Sequence, residues 1–537
     1  METNVLKLFL ALSFGLNVTF FYNFVMFPYC SEKSPQASLS KSQDRGIKLQ
    51  APSPMKINKE QRKDQCLLRK RNLIRGAYSE ALQVREFVRK YFRKDLNLTT
   101  KSALQEDYSK NYLPFSDIVR KLKFLVDDIH RESRNDLTIL GDQVQERIRK
   151  LQNPSDCKTA KKLICKFPHC GFGCQLHYIG KCLLVALGTN RLMLVKYKSV
   201  HYKGFEKVFF PLTDACSMEE LPKHAEEWNG ELLTNYHNIP VVSLSYHKRY
   251  PHTRFKAFAI PHNLEEKIKV LHDDPNSWWI GQIMRYVFRP KPWVTDKVQQ
   301  IKRKLNLTRP YVSIHVRRTD KLHREARYFN IEEYMQHIVN WYERDEEHAR
   351  SYTRKVYVAS DDLANVIPDA RSNLICNRYP DYEFLYHAVH EDKPLKSMTQ
   401  IVQDREEEAE LISLVCDLMI LSQSDYFVGT YSSNIGRLVT QLMHSSGDAT
   451  FRSRSIDYRM FYYAGLPLTY RAVEDFSGEK EDLSFSAGEM IVLNAKKECP
   501  LYKGIGRNEA GLHGSFPMHK VEEIFTTAQY QALNDTF

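Results

Sequence analysis

The stretch Tyr311–Glu325 reads YVSIHVRRTDKLHRE. Tyr311 to Val316 form an apolar, partly β-branched run of the length of one buried strand. Arg317, Arg318, Asp320, Lys321 and Glu325 follow it. So many charged groups at the C-terminal end of a buried strand are costly unless they meet a ligand or one another. In open α/β sheets the ligand crevice lies at those strand ends. A guanidinium offers a planar fork to phosphate oxygens, and a lysine adds a compact charge. A nucleoside diphosphate sugar fits this set, with Glu325 as general base on an acceptor hydroxyl. The competing reading is a surface loop of salt bridges.

The runs KCLLVALGT (181–189), LMLVKY (192–197), KVYVAS (355–360) and DYFVGT (425–430) read as further buried strands. Helical patterns lie between several of them, at 331–346 and 406–421. Alternation of this kind predicts Rossmann-like βα units over residues 153–465, with nucleotide binding at about 300–465. Two more polar sets sit beside these runs. Asp361-Asp362 follows KVYVAS and suits either a divalent cation or the cap of the next helix. The segment 414–434 carries Asp417 on a helix and ends in Thr430, Ser432 and Ser433, hydroxyls that suit phosphate at a helix start.

Outward from this region the chain changes character. Leu8–Phe27 is uncharged for twenty residues, long enough for one helical membrane span. The competing readings are a cleaved signal peptide and an uncleaved signal anchor; no small-residue cleavage site follows, so the anchor is expected, with residues 1–7 cytoplasmic, 28–59 a linker and the bulk lumenal. Residues 60–152 carry a seam through Leu67, Lys70, Ile74, Ala77, Ala81, Val84, Val88 and Tyr91, broken only by Lys70. A second pattern runs through Ile118, Leu122, Leu125, Ile129, Leu137, Leu140, Val144, Ile148 and Leu151, with a break expected at Leu113-Pro114. This reads as a solvated helical stem, and pairing through it predicts a homodimer.

The formal net charge is +13 over 537 residues. Residues 31–150 hold +11 of it and residues 151–537 only +2. No aromatic or glycine-rich motif accompanies this charge, and that lack argues against nucleic-acid binding. Six of the eleven cysteines lie between Cys157 and Cys216. After a membrane or signal segment, disulfides are favoured over zinc, although Cys170-x3-Cys174 resembles half of a zinc site. Sequons at Asn97, Asn306 and Asn534 point to the same compartment.

The runs HVRRTDK…E, DDPNSWWIGQIMRYVFRPKPW and LSQSDYFVGTYSS, together with the Cys157–Cys182 pattern, resemble the eukaryotic α1,6-fucosyltransferases that core-fucosylate N-glycans. The likeness covers about residues 150–525. Residues 466–525 resemble an SH3 domain, through Ala472-Val-Glu-Asp-Phe476, Glu481-Asp-Leu-Ser-Phe485, Gly488-Glu489 and Gly514-Ser-Phe-Pro517. They lack the tryptophan and final tyrosine of a proline-peptide groove, which points to a structural or glycan-contacting role. Residues 526–537 are read as a tail.

The resemblance implies a GT-B-like α/β catalytic region between a coiled-coil stem and an all-β SH3 module. It implies inverting transfer of L-fucose from GDP-β-L-fucose to O6 of the innermost GlcNAc of an N-glycan, without a metal or other cofactor. It implies a single-pass type II protein of the Golgi membrane. Carried over by motif, Arg317 grips the diphosphate with Arg318, His315 lines the donor pocket, Lys321 assists and Glu325 takes the O6 proton. Asp417 binds guanine beside Leu414, Ser433 and Asn434 lie near the phosphates, and Tyr202 stacks in the donor pocket. Asp320 contacts the acceptor or holds Lys321 and Arg318 in place, Asp361 and Asp362 take an acceptor or a structural role, and Asp457 faces the acceptor. The implied disulfides are Cys157–Cys216, Cys165–Cys182 and Cys170–Cys174. Gly429 and Gly436 stand where the vertebrate-like pattern has a fourth bridge, and Asn434 stands where it has Gln. The alternatives are another GDP-fucose enzyme, acting on protein O-linked sites or chitin oligomers, and a non-enzymatic SH3-containing membrane adaptor.

Overall fold

The structure is a computed structural model. It describes residues 68, 71, 74, 76–78, 81–82, 101–166, 170–195, 204–217, 225–228, 239–244, 256–318, 327–343, 353–388, 407–457, 468–478, 481–494 and 503–534. The chain divides into two units, Met1–Arg75 and Gly76–Phe537. In the first, Ile74 is helical and buried. All that follows belongs to the second.

Helix α1 (Lys101–Gln152) runs unbroken through Leu113 and Pro114, where a break was expected. Its buried face carries Val119, Leu122, Val126, Leu137, Leu140, Val144 and Ile148, so Leu125 and Ile129 of the expected seam stand half-exposed beside it. From Leu137 onward this face is part of the main core. Each buried aliphatic side chain there contributes about 1.5–3 kcal/mol. The stem is therefore not a free stalk at this end, because its apolar stripe is covered by the body of the same chain. A single-pass membrane anchor is likewise not upheld. Among the described residues no helix is long and apolar enough to cross a membrane, and Leu8–Phe27 lies outside them.

A four-stranded parallel sheet follows, built from β1 (Lys162–Cys165), β2 (Leu192–Val195), β3 (Glu226–Glu227) and β4 (Val241–Leu244) in the order β2-β1-β4-β3. Helix α2 (Phe172–Gly188) joins β1 to β2 and absorbs the run 181–188 that reads as a strand. Leu183 to Leu187 are all at most 1% exposed. A segment buried on every side shows no period, so strand and helix look alike in sequence. The three disulfides form with the expected pairing, at Cα–Cα distances of 5.7, 5.7 and 5.9 Å. The zinc reading falls with them.

After β5 (Ile260–Pro261), helix α3 (Pro275–Val287) starts at a cap in which Asp274 Oδ1 accepts the Ser277 amide at 2.9 Å. The second sheet then comprises β6 (Tyr311–Val316), β7 (Arg354–Ser360), β8 (Tyr382–Leu385), β9 (Tyr426–Gly429) and β10 (Ser453–Ser455). All pairs are parallel, in the order β10-β9-β6-β7-β8. Its connecting helices include α4 (Ile331–Tyr342), α5 (Leu363–Ala370), α6 (Glu408–Ser422) and α7 (Asn434–Ser445). The chain enters at the central strand β6, winds outward to β8, and returns to the other side of β6 at β9. Both faces are covered, which explains the continuous apolar runs. Val312, Ile314, Val316, Val356 and Val358 pack with α4, whereas Tyr311, Tyr357, Ala359 and Phe427 join the main core with α6.

The C-terminal part is a five-stranded antiparallel sheet of β11 (Thr469–Ala472), β12 (Met490–Leu493), β13 (Lys503–Asn508), β14 (His513–Pro517) and β15 (Val521–Ile524). Its order is β14-β13-β12-β11-β15. It has its own core around Tyr470, Phe485, Ile491 and Phe516. The residues beyond it do not hang free as a tail. Strand β16 (Thr527–Ala528) pairs in parallel with β5, and Tyr530 and Leu533 are buried in the main core.

Candidate functional site

The strand order places a topological switch point between β6 and β9, where neighbouring connections leave in opposite directions. A crevice opens at the C-terminal ends of strands at such a point. The three polar sets of the sequence follow β7, β6 and β9, adjacent strands of one sheet.

Asp361 ties the first two sets together. Its carboxylate accepts from Arg317 Nη1, and it also accepts the Arg318 backbone N–H at 3.0 Å. This fixes the start of the loop that leaves β6 and steadies Arg317, which is largely buried. Asp361 is thus engaged within the chain, which is the structural one of the two roles the resemblance leaves open. Both carboxylate oxygens of Asp362 accept from Asn365 Nδ2, at 2.9 and 2.9 Å. Asp362 is the N-cap residue of α5 through its backbone. Among the described residues, the side-chain groups placed to hold an ion involve His130, His272, Asp273, His444 and Asp448 and do not include this Asp pair. His444 lies in the last turn of α7, whereas Ser433 caps the start of that helix.

Arg318 is 5% exposed, and its three guanidinium nitrogens have no hydrogen-bond partner among the described residues. Its guanidinium carbon lies 3.7 Å from the centroid of the Tyr328 ring, and Asp369 Oδ2 stands 3.6 Å away. A buried cation of this kind is costly unless an anion completes its surroundings. His315, beside it in β6, is also buried, and Nδ1 lacks a partner among the described residues. Burial lowers its pKa to about 4, Asp361 opposes that shift, and Arg317 adds to it. His315 is therefore a neutral imidazole near pH 7.

After β9 the backbone turns through Thr430–Ser433 into α7. Asp457 closes this turn by accepting the Tyr431 amide at 2.7 Å, the Ser432 amide at 3.1 Å and the Ser455 hydroxyl at 2.7 Å. The resemblance gives Asp457 to the acceptor, but here its carboxylate shapes the turn. Ser433 caps α7 by accepting the Ile435 amide at 3.3 Å. The hydroxyls of Thr430 and Ser432 are buried and without a partner among the described residues. Orphaned donors at a helix start suit an anionic ligand. A Cβ on Gly436 would fall 2.3 Å from the Thr430 carbonyl oxygen, so the turn in this conformation leaves no room for a side chain there.

Asp417 sits on α6 and accepts from the Tyr357 hydroxyl of β7 at 2.5 Å. Part of its surface stays accessible, but protein surrounds the carboxyl densely. Burial raises its pKa to about 7, against the lowering effect of the Tyr357 hydrogen bond. Leu414, one turn earlier, is half-buried against the main core. Tyr202, Asp320, Lys321 and Glu325 lie outside the described residues. Sequence reading missed Tyr357, whose partner Asp417 lies 60 residues away, and also Tyr328 and Arg437.

Fold and site together define an α/β protein whose polar strand ends meet at the switch point of a parallel, Rossmann-type sheet. Comparison with known proteins narrows the class. Residues 30–463 match the family described as alpha-(1,6)-fucosyltransferase N- and catalytic domains, and the chain belongs to that family. It is 34% identical over 408 residues to the alpha-(1,6)-fucosyltransferase of Drosophila melanogaster, covering 74% of this chain and 62% of the relative. The Caenorhabditis elegans alpha-(1,6)-fucosyltransferase is 28% identical over 409 residues, covering 74% of this chain and 70% of the relative. The chain thus spans less than two thirds of the Drosophila protein's length. Among solved structures, NodZ alpha-1,6-fucosyltransferase soaked with GDP-fucose is similar with a TM-score of 0.31 and 13% identity, over 53% of this chain and 92% of that one.

Proposed function

We propose that this protein transfers L-fucose from GDP-β-L-fucose to O6 of the innermost GlcNAc of N-glycans. The observation that carries the reading is the Arg317–Asp361–Arg318 arrangement at the switch point of the second sheet, in a chain of this family.

The chemistry follows from the charges. As the bond from fucose C1 to the diphosphate breaks, negative charge grows on the leaving oxygen. Fixed cations already in place oppose that charge without reorganising. Arg317, held by Asp361, is the first of these, and Arg318 and Lys321 add to the field. Ser433, Asn434 and the start of α7 face the phosphates. Asp417 accepts from the guanine edge. Glu325 takes the O6 proton while O6 attacks C1 from the opposite face, so one displacement converts the β-linkage of the donor to an α-linkage. The carboxylate plays the part of the base in an inverting hydrolase, with a sugar hydroxyl in place of water. Asp320 and Asp362 complete the acceptor side. No cofactor enters these steps. Glu325→Gln is expected to lower kcat about 100- to 10,000-fold with little change in GDP affinity, read by steady-state kinetics and titration.

Donor binding carries a pH signature. Guanine donates through N1–H and its amino group, so the ionised form of Asp417 is the better acceptor. Its pKa is raised to about 7, and as pH falls through that value the carboxyl takes up a proton. GDP affinity is therefore expected to drop as pH falls through about 7, and Asp417→Asn to flatten that profile. An unchanged profile in the variant would remove Asp417 from the base site.

The finer architecture belongs to the same reading. Two parallel α/β sheets favour a GT-B-like arrangement, and the antiparallel C-terminal sheet favours an SH3-like module with a structural or glycan-contacting role. Pairing of two copies through α1 would use its outer flank, where Phe124 and Ile139 are 59% and 50% exposed, because the opposite face is already buried. The deciding experiment is mass spectrometry of a GlcNAc-terminated biantennary N-glycan incubated with GDP-fucose and the protein. One fucose gained on the reducing-end GlcNAc supports the proposal. Transfer only to peptide hydroxyls or chitin oligomers would replace it with another fucosyltransferase activity.

A further inference from the structure

Helices α2 and α7 meet by their first turns. Gly173, the second residue of α2, lies so close to Asn434, the first of α7, that an added Cβ would stand 2.9 Å from the Asn434 Cβ and 3.1 Å from its carbonyl carbon. Both helices are long enough, 17 and 12 residues, to carry a full positive end. Two such ends in contact repel each other and attract anions.

Arg437 adds a third positive element at this place. It lies one turn into α7, is 7% exposed, and donates from Nη2 to Asn434 Oδ1 at 2.6 Å. Its charge also reaches α2, where the buried His177, bonded to Gly173 O and Gln441, is pushed down to about 3, first by burial and then by Arg437. A buried guanidinium in the first turn of a helix works against both desolvation and the helix dipole. An anion at the same spot reverses both penalties. The buried hydroxyls of Thr430 and Ser432 in the adjoining turn, without partners among the described residues, point to the same ligand.

We infer that Arg437 is a positioning residue for the diphosphate of the donor, orienting Asn434 and supplying fixed positive charge where the first turns of α2 and α7 converge. With Oδ1 held by the guanidinium, the amide N–H donors of Asn434 point away from Arg437. The inference rests on the nucleoside-diphosphate reading of the crevice. It assigns the phosphates a contact made from both α/β sheets, since α2 belongs to the first and α7 to the second.

The test compares GDP with guanosine, which lacks the phosphates, by calorimetric titration of the full chain. Arg437→Ala is expected to weaken GDP about 10- to 100-fold, the size of one charge-assisted contact, and to leave guanosine unchanged. Arg437→Lys keeps the charge but loses the fork, so it falls between. GDP binding equal to that of the unaltered protein overturns the inference, as does an equal loss for GDP and guanosine, which marks a structural role. If the alanine variant does not fold, the GDP-to-guanosine ratio of Arg437→Lys decides: a lowered ratio supports the role and an unchanged one overturns it. An unaltered protein that binds neither ligand overturns the nucleotide reading itself, a result distinct from failure of Arg437 alone.

Discussion

Arg317→Ala is expected to lower kcat/KM for fucosyl transfer by about 100- to 1,000-fold or more, while the protein stays folded. The size is that of removing one preorganised donor from a developing anion. Retention of the fold follows from Asp361. In the variant its carboxylate loses the guanidinium but keeps the Arg318 amide at 3.0 Å, and water can reach a side chain that is 13% exposed. The stability cost is then about 1–3 kcal/mol, within reach of a melting measurement. Asp361→Asn should impair transfer less, because it loosens Arg317 without removing its charge. Near-normal turnover in Arg317→Ala would exclude the diphosphate role.

Tyr530→Ala is expected to destabilise the protein by about 3–5 kcal/mol, the range for emptying a buried aromatic site. Tyr530 is 2% exposed, and its hydroxyl lies 2.7 Å from the Ala257 carbonyl and 2.9 Å from that of Ala259. Its ring meets Trp279 edge-on with centroids 5.4 Å apart. Tyr530→Phe keeps the ring and loses only the hydroxyl, so it should cost about 0.5–1.5 kcal/mol. A chain ending at Phe525 loses Leu533 and the β16–β5 pairing as well, and should suffer the larger loss. Denaturant unfolding ranks the three. A chain ending at Phe525 that unfolds with the full chain would show that the last residues are ornamental.

Much of the catalytic region was legible from local signals. The runs ending at Val316, Ser360 and Gly429 are strands as read, because buried parallel strands advertise themselves as short apolar runs with polar ends. Run 181–188 reads as a strand and folds as the end of α2, since burial on all sides erases the period that separates the two. Pro114 reads as a break, yet α1 continues through it. The buried seam of α1 runs through Val119, Leu122 and Val126, and from Leu137 onward the body of the chain covers it.

The site divides in the same way. Residue type and placement after a strand marked Arg317, Arg318, Asp361, Asp417 and Ser433. What each carboxylate does was not legible. Asp361 braces Arg317, Asp457 holds the turn before α7, and Asp417 meets Tyr357, contacts spanning 44, 26 and 60 residues of chain. No local pattern reports a partner that far away.

By itself the sequence determined the α/β class, the strand-end positions of the polar sets and, through likeness to its family, the disulfide pairing. These follow from short-range periodicity and from matched motifs. Only the tertiary structure decided the strand order that sets β9 beside β6, the docking of α1 and of residues 526–533 onto the core, and the meeting of α2 with α7 around Arg437. Those outcomes depend on which distant surfaces bury one another, and a side chain's final charge partners come with that burial.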